Sequence, residues 1–250
     1  MTEDPFHEAT LVARRYLTPG MIRLTFSGEG LKRFRSTGIP DEYIRLFFPD
    51  PATGELTLPT IDAEGRWAFP EERQRVRYST YTVRRFDLAR CELDVDLVVH
   101  DGGQASDWAR DAELGERIVI NNPRGLYARP DELERQILIA DATGLPAVAR
   151  ILEQTPSQVS SRVFLEMADE THQQPLPDHP RASTTWFHLA HGDTDGSRLV
   201  DLLPLEQIDD GKTYLWAAAE KSVVRTLRAQ SEELKQSGAE RQKIVAYWAR

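Results

Sequence analysis

The feature that most constrains this chain is a change of hydrophobic period near residue 130. Before it, short runs rich in β-branched and aromatic residues recur between turn signals. Ala9–Tyr16, Met21–Ser27, Glu42–Phe48, Glu55–Leu58, Arg77–Arg84, Cys91–His100 and Ile118–Asn121 read as strands. Thr18-Pro19-Gly20 and Asp50 to Gly54 read as turns, and Gly65 to Glu72 as a loop. In the 91–100 run Leu93, Val95 and Leu97 alternate with Asp94, Asp96 and Val98, the period of a half-buried strand. Such a succession predicts a small antiparallel barrel.

After residue 130 strands alternate with helical spacing. Arg135–Ala140, Arg162–Met167, Thr184–Ala190, Thr213–Ala218 and Lys243–Tyr247 read as strands; Leu145–Gln154, Leu199–Leu203 and Glu220–Lys235 read as helices, and Asp169–Arg181 as a loop. That alternation implies a mostly parallel sheet with crossover helices. The expectation is therefore two domains, 1–130 a small antiparallel β-barrel and 131–250 an α/β domain.

Composition removes several function classes. The net charge of −9 argues against broad nucleic-acid binding and means that an anionic ligand needs a local basic pocket. The single cysteine, Cys91, excludes an intrachain disulfide framework and a four-cysteine iron–sulfur cluster. Met1 to Phe6 lacks the basic and apolar regions of a secretory signal, and no apolar run reaches the roughly 20 residues a membrane helix needs. The expectation is a cytoplasmic protein without membrane insertion. His188 and His191 lack the helical or cysteine context of a metal site. Walker A, G-x-S-x-G and G-x-G-x-x-G signatures are absent.

Four stretches carry chemistry. In Arg77-Tyr78-Ser79-Thr80-Tyr81-Thr82-Val83-Arg84, strand alternation puts Arg77, Ser79, Tyr81 and Val83 on one face and Tyr78, Thr80, Thr82 and Arg84 on the other. One ring, several hydroxyls and basic ends suit a flat, phosphate-bearing ligand, although an ordinary half-exposed strand has the same composition. His100 to Trp108 joins a strand to a short helix, with Gly103 allowing close approach. Its Ala105-Ser106 turn could bind phosphate through free N–H groups, or Ser106 could simply cap the helix. Asp141-Ala142-Thr143-Gly144-Leu145-Pro146 lies beyond the first strand of the second domain, where an open α/β sheet binds its ligand; Pro146 suits a first helical turn. Trp216 to Lys221 is a second strand end leading into a helix, with Glu220 at the junction.

In this order and spacing the segments resemble the siderophore-interacting protein family, flavin-dependent ferric-siderophore reductases of the ferredoxin–NADP reductase superfamily. The resemblance rests on Leu17 to Gly28, Asp41 to Pro49, Thr80-Tyr81-Thr82-Val83-Arg84, Glu92 to His100, Ala105-Ser106-Asp107-Trp108, Asn122-Pro123-Arg124-Gly125, Leu145-Pro146-Ala147 and Tyr247-Trp248. It implies an antiparallel six-stranded β-barrel that binds FAD and an NAD(P)-binding-like α/β domain with a mostly parallel sheet. It implies that Tyr81 flanks the isoalloxazine and Thr82 approaches N5, while Arg84, Ala105 and Ser106 hold the diphosphate. It implies a basic ferric-siderophore pocket, for which Arg45, Arg124 and Arg250 are the candidates.

The cofactor-binding set is then Arg77, Ser79, Thr80, Tyr81, Thr82, Val83, Arg84, His100, Ala105, Ser106, Trp108, Asp141, Thr143, Pro146 and Glu220. No catalytic side chain and no resident metal are expected, because flavin carries the electrons. Three positions depart from the family pattern. Ser79 stands where the family has Arg, with Arg77 two residues earlier on the same face as the substitute. Ala140-Asp141-Ala142-Thr143 replaces Gly-Asp-Glu-Thr, and Ala219 replaces a Gly whose absence could crowd a nicotinamide. A ferredoxin is therefore the alternative donor to NAD(P)H. The alternatives in function are a flavin- or siderophore-binding protein without efficient turnover, and a flavin reductase. A monomer is expected.

Overall fold

The computed structural model describes residues 5–62, 66–69, 76–189, 197–201, 212–232 and 241–249. The chain forms two compact units. The first comprises Met1–Tyr16, Ile22–Thr37 and Tyr43–Arg124; the second comprises Leu17–Met21, Gly38–Glu42 and Gly125–Arg250.

The first unit contains β1 (Phe6–Thr18), β2 (Met21–Ser27), β3 (Tyr43–Phe47), β4 (Thr60–Ile61), β5 (Trp67–Ala68), β6 (Tyr78–Thr82), β7 (Arg85–Asp87), β8 (Glu92–Val98), helix α1 (Gln104–Asp111) and β9 (Arg117–Asn121). Seven strands form one sheet in the order β6-β3-β9-β1-β2-β8-β7, with β1–β9, β3–β6, β3–β9 and β7–β8 paired antiparallel. The expected six-stranded count is thus corrected to seven. The extra strand is β7. The chain bends at Val83-Arg84, and residues 85–87 pair with β8, where Arg85 sits opposite Asp94 and bonds it at 2.8 Å. The 55–58 stretch is not a strand; a separate two-stranded piece, β4 and β5, forms instead, its second strand inside the stretch read as a loop.

The alternating pattern of β8 explains its placement. Leu93, Val95 and Leu97 enter a core with Leu11, Ile22, Leu24, Phe26, Ile44, Leu46 and Ile120. On the opposite face Asp96 takes a two-pronged bond from Arg23 at 2.6 and 2.7 Å, and Asp94 accepts from Thr25 and Arg85. Helix α1 packs Ala105 and Ala109 into the same core, and Trp108 rests against it.

The second unit contains β10 (Arg135–Asp141), α2 (Leu145–Gln154), β11 (Ser160–Met167), β12 (Ala182–His188), β13 (Thr213–Glu220), helix α3 (Lys221–Glu232) and β14 (Gln242–Trp248). The five strands are parallel in the order β12-β11-β10-β13-β14. The apolar run of β10, with Ile137, Leu138 and Ile139 all buried, is that of a central strand covered on both faces. Chain order reverses between β10 and β13, so the crevice at their carboxyl ends is the place where such sheets bind ligands. The 199–203 stretch is a short 3-10 turn over the described Arg198–Asp201.

Residues 38–42 belong to this second unit through two buried acids. The Asp41 carboxylate accepts from Leu126 N at 2.7 Å, Tyr127 N at 2.8 Å and the Trp216 indole at 3.0 Å. Glu42, fully buried, accepts from Arg150 at 3.1 Å. An ion pair taken out of water is stable only while both partners remain. Asp41→Ala leaves the buried Trp216 indole and two half-buried backbone N–H groups without their acceptor, and equilibrium urea unfolding should show a loss of about 3 kcal/mol. Trp216→Phe removes a single bond and should cost about 1 kcal/mol. Equal losses in the two variants would show that the three bonds do not act on one carboxylate.

Candidate functional site

In the first unit the site is a set of lateral rows across β3 and β6. Tyr43 lies opposite Thr82, Arg45 opposite Thr80, and Phe47 opposite Tyr78. Directly opposed residues in antiparallel strands project from the same face. Arg124 extends the first row: it exchanges backbone bonds with Tyr43 at 2.7 and 3.0 Å. Thr82, Tyr43 and Arg124 therefore form one row. The Arg45 row follows about 7 Å along the strands, and the Tyr78 row a similar step further.

Several donors on this unit are buried and unsatisfied. Thr82 is 4% exposed and its hydroxyl has no partner. Arg77 Nε, Arg45 Nε and Gln104 Nε2 are likewise buried without hydrogen bonds. A native fold leaves few such groups, and each needs a ligand or another cause. Arg77 sits beside Phe48, whose N–H it accepts at 2.9 Å, and Phe48 packs on Trp108 of α1 at 5.2 Å. These donors fit an acceptor-rich ligand such as FAD.

The other predicted residues of this unit divide clearly. Tyr81 lies opposite Ile44 and leans on the core; burial pushes its phenol above the ordinary range, and a bond with Ser79 opposes that rise. Ser79 thus meets Tyr81, and Val83 is a core residue. Thr80 is exposed beside Arg45. The Arg84 guanidinium stands 3.9 Å from Asp96, a carboxylate already held by Arg23.

The turn before α1 is shaped by sterics. A Cβ at Gly103 would lie 2.2 Å from the exposed His100 ring, so a larger residue there would displace that ring. Gly103 is the N-cap, and Ser106 instead is buried and accepts from His100 N at 2.9 Å. Ser106 therefore builds the turn, while the first N–H groups of α1, including that of the buried Ala105, have no intrahelical acceptor. Trp108 donates to Glu116 at 3.0 Å and stacks on Phe26 at 6.3 Å, which is a packing role.

In the second unit Asp141 gathers the ends of β10, β13 and β14. Its carboxylate accepts from Thr143 N at 2.9 Å, Thr143 Oγ1 at 2.5 Å, Glu220 N at 3.0 Å and Trp248 Nε1 at 2.7 Å. Burial pushes its pKa up, and these donors oppose the rise. The Glu220 side chain turns to Ser222 at the start of α3. Pro146 is buried in the first turn of α2. The tight point of the crevice is Gly144, where a Cβ would meet Ala218 O at 2.9 Å and Ala140 Cβ at 2.8 Å. Ala219, by contrast, is fully buried in the core of this unit, so its methyl contributes to packing. Arg250 lies outside the described residues.

Sequence reasoning missed Gln104, Trp67 and Phe69. Gln104 carried no motif of its own. The Trp67-Ala68-Phe69 spacing, two rings on one face of a short strand, was the available signal in a stretch read as a loop.

Comparison with known proteins agrees with this geometry. Residues 10–127 match the siderophore-interacting FAD-binding domain, and residues 133–250 match the siderophore-interacting protein model. The NADPH-dependent ferric-chelate reductase of Escherichia coli is 32% identical over 97% of this chain and 92% of its own length. The ferric vibriobactin reductase ViuB of Vibrio cholerae is 28% identical over 96% of this chain and 88% of its own. A siderophore utilization protein from T. fusca superposes with a TM-score of 0.82 at 31% identity, covering 99% of this chain and 94% of that one. A ferredoxin NADP+ reductase from Neisseria gonorrhoeae, with bound FAD and NADP, shares the fold at 13% identity, with a TM-score of 0.67 over 98% of this chain and all of that one. The chain belongs to the siderophore-interacting protein family, within the ferredoxin–NADP reductase-like fold.

Thr82→Val keeps the shape of the side chain and removes its hydroxyl. FAD affinity should fall roughly five- to tenfold, the value of one hydrogen bond. The melting temperature should not fall, because the hydroxyl has no partner within the protein. Unchanged FAD affinity in a binding titration would remove Thr82 from the flavin site.

Proposed function

We propose that this chain is an FAD-dependent ferric-siderophore reductase that uses NAD(P)H as its electron source. The observation that carries the reading is the row of Thr82, Tyr43 and Arg124 with Arg45 beside it: a buried, unmatched hydroxyl next to two arginines on one strand face. Bound FAD would accept a hydride and pass on single electrons, which is the conversion a two-electron donor and a one-electron metal acceptor require. Reducing chelated Fe(III) to Fe(II) loosens hard oxygen ligands and frees the iron.

In this reading the protein binds and orients. Residues 1–130 hold FAD and residues 131–250 the pyridine nucleotide. The Thr82 hydroxyl faces the N5 edge, and Tyr81 supports β6 from the core side. Arg77 takes the diphosphate role that the family gives to an arginine at position 79, with the α1 N–H groups and the Gln104 amide beside it. Arg84 helps there, its charge shared with Asp96. Arg45, Arg124 and Arg250 attract an anionic chelate by local charge against the acidic whole. Thr143 and Asp141 shape the crevice at β10, and the burial of Ala219 relieves the crowding that favoured a ferredoxin as donor. The reading also places the protein in the cytoplasm as a monomer. Among the described residues no helix is long and apolar enough to cross a membrane.

The deciding experiment is an absorption spectrum before and after adding FAD, followed by anaerobic reduction with NADPH, NADH or a reduced ferredoxin in the presence of a ferric chelate. Flavin bands retained through desalting and Fe(II) formation with NADPH or NADH are expected. Retained flavin with chelate binding but no Fe(II) would point to a binding protein. Rapid release of reduced flavin would point to a flavin reductase. Within the reductase reading, Arg45→Ala should raise the Kd for an anionic chelate about tenfold more than that for a neutral one, as for loss of a charge-assisted bond. Equal effects would take Arg45 out of the pocket.

A further inference from the structure

The pairing of β3 with β9 slips by one residue beside the candidate site. Leu46 faces Ile120 and Phe47 faces Val119, whereas Tyr43 faces Arg124. Three steps along β3 therefore match four along the other chain segment, which is a β-bulge at residues 121–123. Pro123 lies within it, where the ladder can spare an N–H group. Beyond the bulge the ladder closes again through the two backbone bonds between Tyr43 and Arg124, at 2.7 and 3.0 Å.

The slip decides which way Arg124 points. Ile118 and Ile120 enter the core, as do Ile44 and Leu46 of β3. Strict alternation from Ile120 would send residue 124 to that core side and bury the arginine among apolar side chains. One extra residue reverses the phase. Arg124 thus joins Tyr43 on the face that also carries Arg45, and it is exposed there. Two guanidiniums on neighbouring rows repel one another, so the backbone between them must be held to keep both in place.

Asn121 supplies that hold. It is buried, its side-chain carbonyl accepts the Arg45 N–H at 2.6 Å, and its amide donates to the Asn122 carbonyl at 2.9 Å. One side chain therefore ties β3 at Arg45 to the backbone of the bulge. Asn122 is braced in turn by β1 and the residue before it. Its N–H donates to Pro5 O at 2.9 Å, and its side-chain oxygen accepts from Nε2 of the buried His7 at 2.7 Å.

We propose that Asn121 is a positioning residue for chelate capture: through the bulge it keeps Arg124 and Arg45 turned to one face, where a single anionic chelate meets both. Asn121 touches neither chelate nor flavin in this arrangement; it acts through the two arginines. This inference rests on the reductase reading above.

The test is equilibrium dialysis of the FAD-loaded full chain against anionic ferric citrate and neutral ferric tris-acetohydroxamate, run as a double-variant cycle. Arg124→Ala should weaken citrate binding about tenfold, as for loss of a charge-assisted bond. Asn121→Ala should weaken citrate binding about tenfold as well and leave the hydroxamate within about twofold. Added to Arg124→Ala, it should cost about threefold at most, since only Arg45 remains to be positioned. A merely structural role would weaken both chelates alike and add in full. If Asn121→Ala does not fold, Asn122→Ala loosens the same bulge from its exposed side and enters the same cycle. Unchanged citrate affinity in these variants, equal losses for the two chelates, or a loss as large without Arg124 as with it would overturn the positioning role and leave the reductase reading standing. A wild type that binds neither chelate and forms no Fe(II) would overturn both.

Discussion

The second unit depends on one buried carboxylate. Asp41 comes from the strand-rich first half of the sequence, yet its acceptors serve two consecutive backbone N–H groups at Leu126 and Tyr127 and the fully buried Trp216 indole of β13. The buried Trp216 indole has no solvent to replace a lost acceptor, and the two backbone donors are half-buried, so the carboxylate is needed to match them. Glu42 adds a second constraint through Arg150 on α2. The strand that follows at once, β3, carries Tyr43 and Arg45 of the candidate site. The position of that site along the chain is therefore set one residue after an anchoring segment.

The chemistry at each site follows from where donors are left unmatched. In the first unit, Thr82, Arg45, Arg77 and Gln104 retain donor capacity, since each has a buried polar atom with no partner in the protein. In the second unit the reverse holds: Asp141 is saturated by four donors, and it ties three strand ends together. Asp141 and Thr143 thus act as a frame for the crevice, and the close approach at Gly144 keeps that frame tight.

Much of this was legible beforehand. The switch of period near residue 130 gave both fold classes, since strand and helix periodicities are local properties of the chain. The β6 and α1 segments were recognisable because their hydroxyl, glycine and basic residues occur in a fixed order. The strand β7 escaped notice because three residues carry almost no periodic signal; it exists by pairing with β8 and by the Arg85–Asp94 contact. The internal bonds of Trp108, Ser106 and Glu220, to Glu116, His100 and Ser222, are visible only in the folded chain.

The sequence by itself determined two architectures and the family, because these depend on period, order and spacing. Only the tertiary structure decided which polar groups remain unsatisfied, since that depends on neighbours far along the chain. It left the Thr82 hydroxyl buried without a partner and packed Tyr81 in part against the core. It placed the Ala219 methyl in the core of the second unit. It also brought Arg45 between the rings of Trp67 and Tyr78, residues 22 and 33 positions further on. No local pattern specifies such a contact, because it is made by pairing across strands and by a hairpin folding over them.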